Sequence, residues 1–179
     1  VLNDDRVGRS LDALFDAGAD LGLAPFGIRA METMRIEKSY RMVGTELSIE
    51  YSAYESAMDR FVKPDKGDFL GRDALLASRE RGLENLLVTL EVHDVDDADA
   101  LGNNALLKDG KLVGRATGGS YGFRVGKSLA LGMLKPEFAE PGTRVEIEIL
   151  GKTYAATVIP DSPFDPRNER LRDVNAANG

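Results

Sequence analysis

The sequence predicts an α+β protein, with a helix-rich, mixed first part and a small antiparallel second part. Three observations carry this expectation. Apolar residues recur at helical spacing in segments up to about residue 81. From Leu83 onward the period shortens to two. Turn-forming glycines separate the alternating segments, and Asp109-Gly110 between ALLK and KLVG is the strongest hairpin signal.

Taken in order, residues 1–8 read as a short polar lead-in. Leu11, Leu14, Phe15 and Leu21 then predict a helix over about 10–21, capped by Ser10 and stopped by Gly22. Pro25 suits the first position of a second helix, which runs to about Arg35. Its Met31 and Met34 read as core filler. Residues 38–62 show no clean period and are expected to be irregular, with short strands or a helical turn. Pro64 to Gly67 mark a turn, and a third helix is expected over about 71–81, capped by Asp68 and ended by Gly82.

The second part alternates. Leu86, Val88 and Leu90 predict one strand, ALLK and KLVG a hairpin, and residues 127–134 another strand. RVEIEIL, a turn at Gly151-Lys152 and TYAATVI predict a final hairpin. Five or six short strands joined by such turns suggest a barrel or a sandwich. The expected division is 1–82, 83–165 and a polar tail, 166–179, with three prolines across the last twenty residues.

Composition narrows the function. The chain has 179 residues, 23 Lys plus Arg against 30 Asp plus Glu, a net charge of −7, one His and no Cys. Absence of cysteine excludes a disulfide framework and a thiolate zinc site. His93 alone cannot make a two-histidine metal motif. The acidic balance argues against a nucleic-acid or anionic-membrane partner. No apolar run approaches the roughly 18 residues of a membrane span, and no signal peptide is visible. A cytoplasmic setting is the expectation. The first residue is Val1, so a processed product or a piece of something longer is expected.

The remaining motifs are weak by themselves. The cluster Gly118-Gly119-Ser120-Tyr121-Gly122 could cradle a phosphate, but no P-loop lysine follows, and a bulged hairpin or barrel corner is the better reading. The acidic loop 93–100 reads as solvated, as does His93 beside it. Arg35 to Arg41 alternates charge, and Glu37 could pair with Arg41 on a helix surface. No metal site and no nucleophile emerge.

Four stretches, in order, carry a resemblance. Arg35-Ile36-Glu37-Lys38-Ser39-Tyr40-Arg41 leads to Val43-Gly44; Phe69-Leu70-Gly71-Arg72-Asp73-Ala74-Leu75 opens a helix; Gly118 to Tyr121 is followed by Lys127-Ser128-Leu129-Ala130; and residues 141–159 close the pattern. Over about 10–165 the chain resembles the C-terminal half of the glycine-cleavage T-protein (aminomethyltransferase) family. It is most similar to the folate domain that ends dimethylglycine and sarcosine dehydrogenases. The resemblance implies the C-terminal part of a mixed folate-binding domain followed by a small antiparallel β-barrel. It also implies tetrahydrofolate as cofactor, a small methylated amine or related methyl donor as substrate, and FAD only in a parent chain outside these residues. The family's carboxylates lie mostly in an N-terminal half, the expected partner, so no catalytic residue is assigned here.

Two departures stand out. Met31 occupies the place of a family arginine that meets the folate glutamate tail. Arg60 stands where the family has an aromatic that lies against the folate. The resemblance thus proposes Tyr40, Glu55 and Arg60 as cofactor-binding residues, then Arg35 and Glu37, then Tyr121. The leading function is a fragment of a tetrahydrofolate-dependent aminomethyl- or methyl-transfer enzyme. The alternative is a non-catalytic folate-binding or docking module related to the tRNA-modifying folate-binding proteins.

Overall fold

A computed structural model describes residues 4–95 and 97–172. The chain forms two compact units, Val1–Met31 and Glu32–Gly179. The first unit holds α1 (Asp4–Gly18), a single 3₁₀ turn (Ala19–Leu21) and the start of α2 (Ile28–Glu37). Gly22 stops the turn in the left-handed region at φ 69°, as the sequence predicts. The helix begins six residues before the expected Ser10 cap, because Val7 extends the apolar stripe one turn upstream of Leu11. Ser10 sits inside it and donates its hydroxyl to Arg6 O at 2.7 Å. α2 starts at Ile28, three residues after Pro25, and its first turn closes on Gly27 O.

The second unit is built on a closed barrel. Its strands are β1 (Leu86–Val92), β2 (Ala105–Lys108), β3 (Lys111–Gly122), β4 (Lys127–Leu134), β5 (Arg144–Ile149) and β6 (Lys152–Ile159). They are ordered β1-β4-β3-β2-β5-β6, every neighbouring pair antiparallel. Closure leaves no free edge. Alternation decides the interior: Val145, Ile147 and Ile149 of β5 are buried and the residues between them are exposed. They meet Val88, Leu90, Leu106, Ala130 and Val158 in the barrel core. The turns fall at Asp109-Gly110 (φ 51° and 72°) and at Leu150-Gly151 (φ 50° and 76°), the latter one residue earlier than expected.

β4 is buried on both faces. Its outward residues Leu129, Leu131 and Met133 form a second cluster with Leu87 and with Ile36 of α2. The glycine cluster explains how the helix comes this close. β3 continues through Gly118-Gly119 with a register shift between Ala116 and Gly118 and turns back into β4, so the cluster lies in a bulged hairpin, the first of the two expected readings. A Cβ on Gly118 would stand 3.4 Å from Arg35 Nη2, and one on Gly122 would stand 3.0 Å from Glu37 Cγ. The small residues let α2 lie on the strand. α3 (Arg72–Arg81) follows Gly71, whose φ of 89° starts it without any side-chain cap, and Gly82 ends it.

Every barrel strand lies after Leu83, yet the compact unit that holds the barrel begins at Glu32, because Thr33, Ser39 and Glu46 hydrogen-bond to β3 and β1. Two expectations are corrected. Residues 160–168 are a strap, not a loose tail: Ser162 N–H donates to Ser39 Oγ, Ser162 Oγ to Lys38 O, and Phe164 N–H to Glu37 O. The strap ends near α4 (Glu169–Arg172), and 173–179 lie outside the described residues. Met31 and Met34 are exposed, not core filler, since the buried side of α2 is confined to its last turn.

Candidate functional site

The last turn of α2 sets the site. Ser39 adopts φ 52°, which ends the helix, and Tyr40 N–H closes back on Arg35 O at 2.8 Å. The chain then turns so that Lys38, Tyr40 and Arg41 line one cavity of about 490 Å³. The single-turn helix Asp59–Phe61 brings Arg60 and Phe61 to the same cavity, and the strap brings Asp161.

A continuous polar chain fixes this wall. Ser162 N–H donates to Ser39 Oγ (2.8 Å), and Thr89 Oγ1 donates to Asp161 Oδ1 (2.9 Å). The Ser39 hydroxyl therefore donates to Thr89 Oγ1, 2.7 Å away. Arg41 Nη2 donates to Asp161 Oδ2 at 3.0 Å, while its Nε and Nη1 donate to the carbonyls of Ser56 and Ser39. Lys38 Nζ is held by Asp165 O (2.6 Å) and Asn168 Oδ1 (2.7 Å).

Arg60 differs from these two cations. Its guanidinium lies 4.5 Å from the centroid of the Phe61 ring and has no ion-pair partner among the described residues. The cavity thus offers one uncompensated positive charge beside two aromatic faces, Tyr40 and Phe61. A flat ligand with an anionic end fits that chemistry.

Of the six residues singled out from the sequence, the fold brings Tyr40 and Arg60 together at this cavity. The others stand elsewhere. Arg35 binds Glu32 through Nε and Nη2 (2.8 and 2.6 Å), and its Nη1 reaches Tyr40 O and Glu46. Glu37 does not pair with Arg41. It is 2% exposed, and Oε1 accepts the Arg124 and Val125 N–H groups of the β3–β4 turn. Glu55 accepts Ser52 N–H and O–H (both 2.9 Å) and Asn85 N–H, which fastens the loop before β1. Tyr121 stacks edge-to-face on Phe123 at 5.1 Å.

Sequence reading missed Glu46, Thr89, Asp161 and Lys38. Glu46 is wholly buried; its carboxylate accepts from Arg35, Met42 N–H, Thr45 and Thr117. Burial works to raise its pKa, but those four donors outweigh it and hold the carboxyl below its ordinary value. No local pattern marks this residue, because Thr117 is on a distant strand. A second cavity, about 220 Å³, adjoins Arg115 and Tyr51, but Arg115 is already engaged by Tyr51, Asn103 and Glu50. Among the described residues no group of three His, Asp or Glu is placed to hold a metal.

The end of α2 packed on a closed six-stranded antiparallel barrel, with irregular segments hydrogen-bonded to it, defines an α+β class of barrel protein. Two family models match this chain: the GCVT N-terminal domain over residues 1–66 and the glycine cleavage T-protein C-terminal barrel domain over 86–165. The chain belongs to the glycine-cleavage T-protein, or aminomethyltransferase, family. It is 38% identical over 164 residues to mitochondrial dimethylglycine dehydrogenase of Homo sapiens, covering 90% of this chain and 19% of that protein. It is 33% identical over 159 residues to the aminomethyltransferase of Desulfitobacterium hafniense, covering 89% and 43%. It is 34% identical over 169 residues to the 4-methylaminobutanoate oxidase (formaldehyde-forming) of Paenarthrobacter nicotinovorans, covering 94% and 20%. The crystal structure of the glycine cleavage system aminomethyltransferase T from Bartonella henselae superposes with a TM-score of 0.79 at 21% identity, covering 89% of this chain and 45% of that one. The chain therefore spans less than half the length of these relatives. Among the described residues no helix is long and apolar enough to cross a membrane.

Proposed function

We propose that this chain supplies the tail-binding half of a tetrahydrofolate site in an enzyme that moves one-carbon units from a methylated amine. The observation that carries the reading is Arg60, an uncompensated guanidinium on a phenyl ring, facing a cavity with Tyr40. The aminobenzoyl ring of the folate fits between the aromatic faces, and its glutamate carboxylate fits Arg60. Bound there, tetrahydrofolate supplies the N5 amine that accepts the one-carbon unit. The chain's own part is to bind and orient: Tyr40 and Phe61 flank the ring, and Arg60 holds the charge. We assign no acid or base to these residues. In the dehydrogenase branch FAD belongs to other parts of the polypeptide.

Those other parts are also the proposed partner. Leu11 and Leu14 of α1, 52% and 63% exposed, lie on one helical stripe with Val7. A 15-residue helix is marginal in water without a packed face. The preceding half of the folate domain is the polypeptide we propose for that face. The expected cytoplasmic setting stays a proposal, beside the mitochondrial one named for the mammalian relatives.

Calorimetric titration with tetrahydrofolate tests the reading, in the protein joined to that preceding half. Arg60→Ala should weaken binding about tenfold or more, equivalent to about 1.4 kcal/mol. Arg60→Tyr should restore part of it by returning a flat face. Affinity unchanged within about twofold in Arg60→Ala would remove the assignment.

A further inference from the structure

We infer that Arg35 and Glu46 are positioning residues for this cavity: without touching a ligand, they hold the turn that presents Tyr40. The inference rests on reading the cavity as a ligand seat. Tyr40 is 47% exposed, and its ring meets Lys38 Nζ at 5.9 Å from the centroid. Its position is therefore decided mainly by its backbone.

That backbone is tied at both ends to one ion pair. Arg35 Nη1 donates to Tyr40 O at 2.9 Å. Two residues on, Met42 N–H donates to Glu46 Oε2 at 2.8 Å. Arg35 Nη1 and Glu46 Oε2 are 3.3 Å apart, so the segment 40–42 is clasped between them. Each partner is locked from behind. Glu32 grips the other two nitrogens of Arg35, and Thr45 and Thr117 take the remaining capacity of Glu46. Thr117 belongs to β3, so the clasp refers the cavity wall to the barrel.

The geometry needs an arginine. Three nitrogens donate at once, Nε and Nη2 to the Glu32 carboxylate and Nη1 to Tyr40 O and Glu46 Oε2. A lysine at this place keeps the charge but cannot make that fork.

The test uses the chain with ¹³C-labelled tyrosine rings, five in all, with the Tyr40 signal assigned by Tyr40→Phe. Each variant is titrated with p-aminobenzoyl-glutamate, the aromatic amide and dicarboxylate end of the proposed ligand. Arg35→Lys and Glu46→Gln should both move the Tyr40 signal and leave that of Tyr154 on β6 in place. Both should weaken the probe about tenfold, and charge retention in Arg35→Lys should not rescue it. An unmoved Tyr40 signal in Arg35→Lys would overturn the inference, and so would a moved signal with wild-type affinity. If Glu46→Gln broadens all five signals, the variant has lost its fold, and Glu32→Gln replaces it. That variant unhooks Arg35 near the surface and leaves Glu46 in place, with the same expected shift. If the unmodified chain does not bind the probe, the ligand reading fails, while the Tyr40 shift still decides the clasp.

Discussion

Glu46 and Thr117 stand 71 positions apart in the chain, yet the Thr117 hydroxyl donates to Glu46 Oε1. The contact joins an irregular loop to a barrel strand. It also completes the set of donors that keeps a wholly buried carboxylate charged.

Acid should therefore weaken the protein through Glu46. Its folded pKa is held below the ordinary 4.5, despite burial acting the other way. The folded state thus binds fewer protons than the unfolded chain in this range. The stabilisation is complete above the unfolded value and is lost as pH falls through the folded one. Glu55 shifts in the same direction: burial acts to raise it, but the Ser52 and Asn85 hydrogen bonds outweigh that, and being less buried than Glu46 it adds less. Melting curves should show Tm falling as pH drops below the ordinary carboxylate value of 4.5. Glu46→Gln should flatten that fall and cost about 3 kcal/mol at neutral pH by leaving Arg35 short of a partner. An identical pH profile in the variant would contradict the role.

Gly119→Ala should destabilise by about 1–3 kcal/mol. A Cβ there would meet Leu129 O at 2.8 Å and Ala100 Cβ at 2.8 Å, and the backbone of β4 cannot give way cheaply. Urea denaturation would measure it, and a neutral substitution would show that β3 and β4 are less closely paired than described.

Leu150→Asn should stabilise by about 0.5–1 kcal/mol. Leu150 holds φ 50° at the β5–β6 turn and is exposed, so a branched side chain sits in a strained backbone for no packing return. Asn-Gly suits such a two-residue turn. A lower Tm in the variant would count against it.

Leu11→Asp with Leu14→Asp should leave the melting of the chain within about 0.5 kcal/mol, since both side chains are exposed. The same pair should abolish co-purification with the preceding half of the folate domain. Retained association would move the interface away from α1.

The sequence determined the class. Val145, Ile147 and Ile149 alternate because one face of β5 is buried, and Asp109-Gly110 turns because both residues tolerate positive φ. These are local constraints, so they are legible along the chain. The four ordered motifs carried the family, and they placed Arg60 and Tyr40 among the candidates. Only the tertiary structure decided which candidates meet. Arg35 and Glu37 look like surface charges by spacing, yet Glu37 caps a distant turn and Arg35 clasps Tyr40 O. The prolines near the C-terminus look loose, yet Asp161 and Ser162 close the cavity wall through Thr89 and Ser39. Buried polar groups must find partners wherever the fold puts them. Those partners lie tens of residues away, where no local period records them.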